Sequence, residues 1–418
     1  MMARNIPLFI AFRLLFNARF YYPVFAVLQL DYGLTMSQFA ILNFVWAITI
    51  VVLEVPSGAL ADRWGRKNMV ILASVLMITE MVLIAFVPLG ASPLLFWVWV
   101  LNRILSGAAE ASASGADEAL AYDSLPKDEQ EKRWPKVLTR LMTCSSIAFI
   151  IAMLTGGAVY DVEFLNGLLG TNFEKSTVIR FPIYLTLITA LITLPVTLLM
   201  KEPEKNTAGE HENIWKSIAK TARWILGTPL VMIIILLALV HDTVVRLILT
   251  MNSEYYRLIG LPESAFGIIG ASFAALGIIA PKIAQKMIGS HNQKGEMIRN
   301  YAWVTALTLI GLLGVAQAWH HYGVLVVIFF SAGFGLLNFF TSHYLNARVD
   351  SSHRATVLSF KGLALNLGFG MISLLYAGLL KGLGGDFKAS LAWLPGTFLI
   401  ALIPVLFYGW VKVRSHSK

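Results

Sequence analysis

The sequence predicts an all-α membrane protein with twelve transmembrane helices in two six-helix bundles. Three observations carry that expectation. The 418-residue chain is 57% hydrophobic and 14% charged, where an average globular domain is ~25% charged, and its mean hydropathy is +0.69. Apolar runs of ~20 residues, the length that crosses a bilayer, recur from one end of the chain to the other. Lys and Arg gather in alternate connecting segments, as in membrane proteins whose positive loops stay in the cytoplasm. A net charge of +9 would suggest a nucleic-acid partner for a soluble protein. Here its distribution matters more than its sum, and no nucleic acid is expected.

The spans fall roughly at 6–30, 36–60, 69–90, 94–122, 136–159, 178–200, 224–250, 262–287, 298–318, 323–346, 355–380 and 389–411. The first is too long for a signal h-region and lacks a small-residue cleavage site, so it reads as a retained helix. With the N-terminus inside, the even-numbered loops are cytoplasmic and hold most of the Lys and Arg. The expected location is therefore the cytoplasmic (inner) cell membrane, multi-pass, with both termini cytoplasmic. The bundles span 1–200 and 224–418, joined by a cytoplasmic linker at 201–223. There Trp215, Ile218, Ala222 and Ile225 recur at helical spacing opposite Lys216, Lys220 and Arg223, which predicts an interfacial amphipathic helix. The single cysteine, Cys144, sits in an apolar run, leaving no disulfide framework and no thiolate metal site. No phosphate-binding G-x-x-x-x-G-K-[ST] loop occurs, so neither ATP nor another cofactor is expected, and no enzymatic activity.

Between spans two and three stands Gly58-Ala59-Leu60-Ala61-Asp62-Arg63-Trp64-Gly65-Arg66-Lys67. Glycines let two helices approach; Arg63, Arg66 and Lys67 hold the turn in the cytoplasm, and Asp62 offers them a partner. This stretch closely resembles the signature loop of the major facilitator superfamily of secondary transporters. The resemblance implies two bundles around a cavity lined by spans one, four, seven and ten, alternating access to a small-molecule substrate, and a monomer. It also implies a conformational latch formed by Gly58, Asp62, Arg63, Gly65, Arg66 and Lys67 with Asp117 or Asp123, which Arg140 is placed to join. The second half repeats the pattern faintly. Its Pro281–Lys286 loop is basic but has no acid where Asp62 stands, and Asn346–Arg354 mirrors the charged loop after span four. Arg103 followed by Gly107 resembles the superfamily's second motif, and in the drug-exporting branch, which this chain resembles, that arginine assists proton transfer. In span five the antiporter motif keeps its final Gly156-Gly157 but has Ala152-Met153 in place of Gly-Pro.

Ionisable side chains at mid-bilayer each cost at least ~2.5–3.5 kcal/mol, so each asks for a partner or a watery cavity. Arg103, Glu110 and Asp117 are spaced by seven, which places them on one face of span four. They read either as a packing seam or as a proton relay, together with Glu54, whose expected partner is Arg13 or Lys361. Substrate contacts are expected from Arg13, Asn17 and Tyr21 in span one, Glu110 in span four, His241, Asp242 and Arg246 in span seven, and Asn338 and Asn366 in spans ten and eleven. Glu80 in span three has no evident partner. The functional expectation is proton-coupled export of small amphipathic or drug-like organic compounds. Proton-coupled uptake of a small organic anion is the alternative, and a non-transporting membrane receptor is a third class.

Overall fold

The computed structural model describes residues 4–202, 222–289, 293–349 and 351–415, and these are helical and loop, with no strand among them. The linker helix expected around Trp215 lies outside the described residues, as does Asp350 of the Asn346–Arg354 loop. Eleven of the described helices are long and apolar enough to cross a membrane.

Span one is the difference from the expected twelve. It is not one helix but α1 (Asn5–Asn17), a 3-10 turn at Tyr22–Val24 and α2 (Phe25–Tyr32). Pro23 has no N–H to donate and fixes its own φ, so a continuous ladder cannot pass through it. Neither piece is long enough alone to span a bilayer.

The chain continues through α3 (Met36–Trp64), α4 (Arg66–Phe86), α5 (Pro93–Ala113), α6 (Ala116–Asp123), α7 (Gln130–Tyr160), α8 (Val162–Leu169), α9 (Lys175–Val178) and α10 (Phe181–Leu198). After the linker come α11 (Pro229–Leu258), α12 (Glu263–Met287), α13 (Gln293–Gln317), α14 (Val324–Asn346), α15 (Ser351–Gly382), α16 (Phe387–Leu391) and α17 (Leu394–Ser415). The starts follow local chemistry. Thr35 and Gln38 form a reciprocal capping box on α3. Ser92 caps α5 ahead of Pro93, whose missing N–H costs nothing in the first turn.

Two expectations about helix ends are corrected. The 58–67 stretch is not a loop: α3 runs on through Asp62, Arg63 and Trp64, and Gly65 alone, at φ 100°, makes the turn into α4. Only glycine holds that conformation without strain. Span four is not one helix either. Gly115, at φ 73°, breaks it between α5 and α6, so the seven-residue spacing does not carry Asp117 along the face of Arg103 and Glu110.

The chain divides into two compact units, one of Met1–Ala208 with Pro262–Ala274, the other of Gly209–Leu261 with Ala275–Lys418. The core of the first packs Phe12 and Phe16 of α1 against Met69, Val70, Ala73 and Met77 of α4, with Ala109, Ala113 and Ala190 facing them. In lipid there is no hydrophobic gain between helices, so close packing over such small residues is what holds them together.

Candidate functional site

At one end of the first unit, two acids organise the helix ends. The guanidinium of Arg66, at the start of α4, pairs with Asp123, the last residue of α6. Glu202 caps α4: its carboxylate oxygens accept the N–H groups of Arg66 at 2.9 Å and Lys67 at 2.7 Å. An acid there satisfies orphan N–H donors and opposes the positive end of the helix. A side chain on Gly65 would come within 3.1–3.3 Å of that carboxylate, so the bare turn also makes room for the cap. Asn5 joins the same layer, donating to Ser124 Oγ and the Lys201 carbonyl, both at 2.7 Å, and accepting the Lys201 N–H at 3.0 Å. Asp62 and Arg63 are exposed on the last turn of α3, and Gly58 is exposed one helical turn before Asp62, where an added Cβ would meet nothing within 4 Å.

Asp117 does not join Arg66. It is buried and forms an ion pair with Arg13 of α1, whose Nη2 donates to Oδ1 at 3.0 Å; Glu118 lies 3.6 Å from the same guanidinium. Arg13 is therefore engaged by Asp117 rather than standing against Glu54.

Deeper in the unit, Glu54 of α3 and Glu110 of α5 are half-buried and within electrostatic range of each other. No described ion pair or side-chain hydrogen bond reaches either carboxylate, and Glu54 Oε2 is buried without a hydrogen-bond partner. Asn17, on the break in span one, is exposed, and Tyr21 is buried edge-on to Tyr22 at 5.3 Å.

Arg103 and Glu80 belong to a separate buried cluster. Arg19 pairs with Glu80, at 5% and 0% exposure, and donates through Nε to the Phe16 carbonyl that the broken helix leaves free, at 3.1 Å. Asn102 Nδ2 donates to the Glu80 backbone carbonyl at 2.9 Å, and its Oδ1 accepts two bonds from Arg103 at 3.1 and 2.8 Å. Arg103 is thus folded back on its neighbour and over the Phe25 ring at 5.3 Å, not directed along the helix toward Glu110.

At the other end, Asp161 caps two helices. Its Oδ1 accepts the Phe164 N–H of α8 and its Oδ2 the Ser264 N–H of α12, both at 3.0 Å. Beside it Lys175 pairs with Glu263, reaches Asp31 at 3.8 Å and lies 3.9 Å from the Tyr160 ring centroid. Burial opposes the charge of Asp161, but the two N–H groups, the Ser264 side chain and Lys175 outweigh it and hold the carboxyl below its ordinary range. A carboxyl lowered by folding stabilises the native state above the ordinary value, and that contribution is lost as pH falls through the lowered one. Wild type is accordingly expected to unfold at a higher temperature than Asp161→Asn at pH 7, with the gap closing as the pH is taken well below ~4. A gap independent of pH would overturn this.

In the second unit, Arg246 of α11 is held by Asp242 at 2.8 and 3.0 Å and donates to Asn366 Oδ1 of α15 at 2.9 Å, over the Phe369 ring at 5.3 Å. Lys361 is within electrostatic range of Asp242. His241 is fully buried and faces elsewhere: Nδ1 donates to the Leu237 carbonyl at 2.8 Å and Nε2 meets Thr305 Oγ1 at 2.9 Å. Adjacent helical residues diverge by ~100°, which is why Asp242 and His241 serve different neighbours. Asn338 is exposed on α14. Among the described residues, no cluster of His, Cys, Asp and Glu could hold a metal ion.

Membrane-length helices, an ion pair at one of their turns and two carboxylates that no described ion pair reaches fit a membrane transporter. The chain belongs to the Major Facilitator Superfamily, whose profile matches residues 8–295. It is 21% identical over 401 residues to an uncharacterized MFS-type transporter, YxaM, of Bacillus subtilis (strain 168), covering 94% of this chain and 92% of that one. Among solved structures it resembles the nucleoside transporter NupG, with a TM-score of 0.69 at 13% identity over 97% of this chain and 98% of that one. It also resembles a D-xylose-proton symporter, with a TM-score of 0.68 at 15% identity over 97% and 96%. At such identities the likeness to solved structures speaks for the fold. The chain is a multi-pass membrane protein and a secondary transporter of this superfamily.

Proposed function

We propose that this transporter exports small amphipathic or drug-like organic compounds in exchange for protons. It would work by alternating access, as a monomer, in the cytoplasmic membrane with both termini inside. The observation that carries the reading is the pair Glu54 and Glu110, two carboxylates on different helices that no described ion pair reaches. Like charges in a poorly solvated site repel, and one positive charge relieves both. A proton can supply it, and so can the amine of a substrate. Occupants that exclude one another are exchanged rather than carried together. The Arg13–Asp117 pair one helical piece away and the Arg66–Asp123 latch would respond to that occupancy, since a ligand shifts a conformational equilibrium through its differential affinity for the two states.

A second reading is uptake of a small organic anion. It is favoured by the second unit, where Arg246 and Lys361 stand with one acid, Asp242. Proteoliposomes holding a pH-sensitive dye under an imposed gradient separate the two. Under the first reading, cationic amphiphiles dissipate the gradient, Glu110→Gln abolishes the response and Arg246→Gln spares it. A response to organic anions alone, lost in Arg246→Gln, would replace export with uptake. Silence toward both panels would count against both readings.

A further inference from the structure

The helix α7 is longer than a membrane requires. Its 31 residues measure ~46 Å at 1.5 Å per residue, against ~30 Å of hydrocarbon. The excess is about ten residues. One end is fixed where Asp161 caps the neighbouring helices, so the excess projects at the other, over 130–140, into the headgroup layer.

That extension is anchored on one side. Trp134 stacks on Phe9 of α1 at 6.2 Å and meets Tyr122 of α6 edge-on at 5.4 Å. The opposite side carries Lys132, Lys136 and Arg140 at a spacing of four, all exposed. At 100° per residue these three span ~80° of the helix, centred ~160° from Trp134. The same exposed side continues into the slab as Ile147, Ile151 and Leu154, which are 55%, 54% and 41% exposed. The three cations are therefore the headward continuation of an apolar stripe.

Among the described residues no acid takes up their charge. Arg133, one position from the row, pairs with Glu129. Lys132, Lys136 and Arg140 enter no described ion pair or side-chain hydrogen bond, and the exposed acid of the extension, Glu131, projects ~140° away from the centre of the row. Loop-borne positive charge would fix topology wherever it pointed. Three cations in register with an apolar stripe, on a helix braced from behind, instead form a surface matched to a headgroup with acyl chains below it.

We propose that this face of α7 binds the anionic phospholipid headgroups of the cytoplasmic leaflet, the phosphates on the Lys132–Lys136–Arg140 row and the acyl chains along Ile147, Ile151 and Leu154. The proposal rests on the topology given above, not on the substrate or the coupling ion. Near an anionic surface each Lys or Arg contributes roughly fivefold in affinity, so the row should favour an anionic over a zwitterionic lipid by up to about a hundredfold.

The test is native mass spectrometry of the full chain, released from micelles containing equal phosphatidylglycerol and phosphatidylcholine of the same acyl chains. Wild type is expected to retain phosphatidylglycerol preferentially, and Arg133→Gln to do the same. The triple variant Lys132→Gln, Lys136→Gln, Arg140→Gln is expected to lose the preference at an unchanged unfolding temperature. Millimolar inorganic phosphate should not displace the lipid; displacement would make the site one for free phosphate. Equal retention of both lipids by wild type, or an undiminished preference in the triple variant, would overturn the proposal. Transport is not read in this experiment, so failure of the exchange reading would leave its result standing.

Discussion

Glu80→Gln is expected to destabilise the protein by about 3–5 kcal/mol, the cost of stranding one partner of a buried ion pair. Glu80 is 0% exposed and faces the Arg19 guanidinium, itself 5% exposed. Arg19 also meets the Phe16 carbonyl and, at 5.3 Å, the Phe16 ring, with Tyr21 and Tyr22 nearby, none of which carries a compensating negative charge. Glutamine keeps the size and one acceptor but leaves the charge uncompensated where little water can reach it. In detergent the unfolding midpoint should fall by roughly 5 °C. Removing both charges, as Arg19→Leu with Glu80→Leu, should recover most of that loss, because a buried pair replaced by apolar residues of similar volume is often neutral. An Glu80→Gln protein as stable as wild type would mean that the pair carries no net charge to strand.

Gly156→Ala should be as damaging by a different route. A Cβ on Gly156 would lie 1.8 Å from the Phe20 carbonyl oxygen and 2.8 Å from its carbon, with Pro23 Cγ at 3.0 Å. These are backbone and ring atoms, not the end of a flexible side chain. Phe20 cannot simply retreat, since its N–H is held by Thr186 Oγ1 of α10 at 3.1 Å. The methyl must drive α7 off the break in span one. The yield of monodisperse protein from size-exclusion chromatography is expected to fall severalfold. Gly167→Ala is the control: nothing lies within 4 Å of its added Cβ, and the change should be neutral or stabilising by a few tenths of a kcal/mol. Equal yields of both variants would refute the steric argument.

The parts of this protein that were legible in its sequence are those that local pattern controls. Spans two to twelve stand out as apolar runs, and the Arg66–Asp123 pair lies between two stretches whose charges are conspicuous in the sequence. The misses share a cause. Glu202 reads as a linker residue because the N–H groups it caps, Arg66 and Lys67, are more than a hundred positions away in the chain. Glu80 had no evident partner because Arg19 sits on a break that turns it from the face of Arg13 and Asn17. The span-four stripe assumed one helix through Ser114 and Gly115, and a single positive φ removes that premise. Spacing predicts a shared face only while the ladder is unbroken.

The interruption of span one also bears on how it enters the bilayer. Its two helical pieces are too short to cross alone, and they carry Arg13 and Arg19, each of which costs ~2.5–3.5 kcal/mol to place in lipid. The acids that neutralise them, Glu80 and Asp117, belong to spans three and four. Span one is therefore expected to insert cooperatively with spans three and four, whose carboxylates complete it, rather than by its own hydrophobicity.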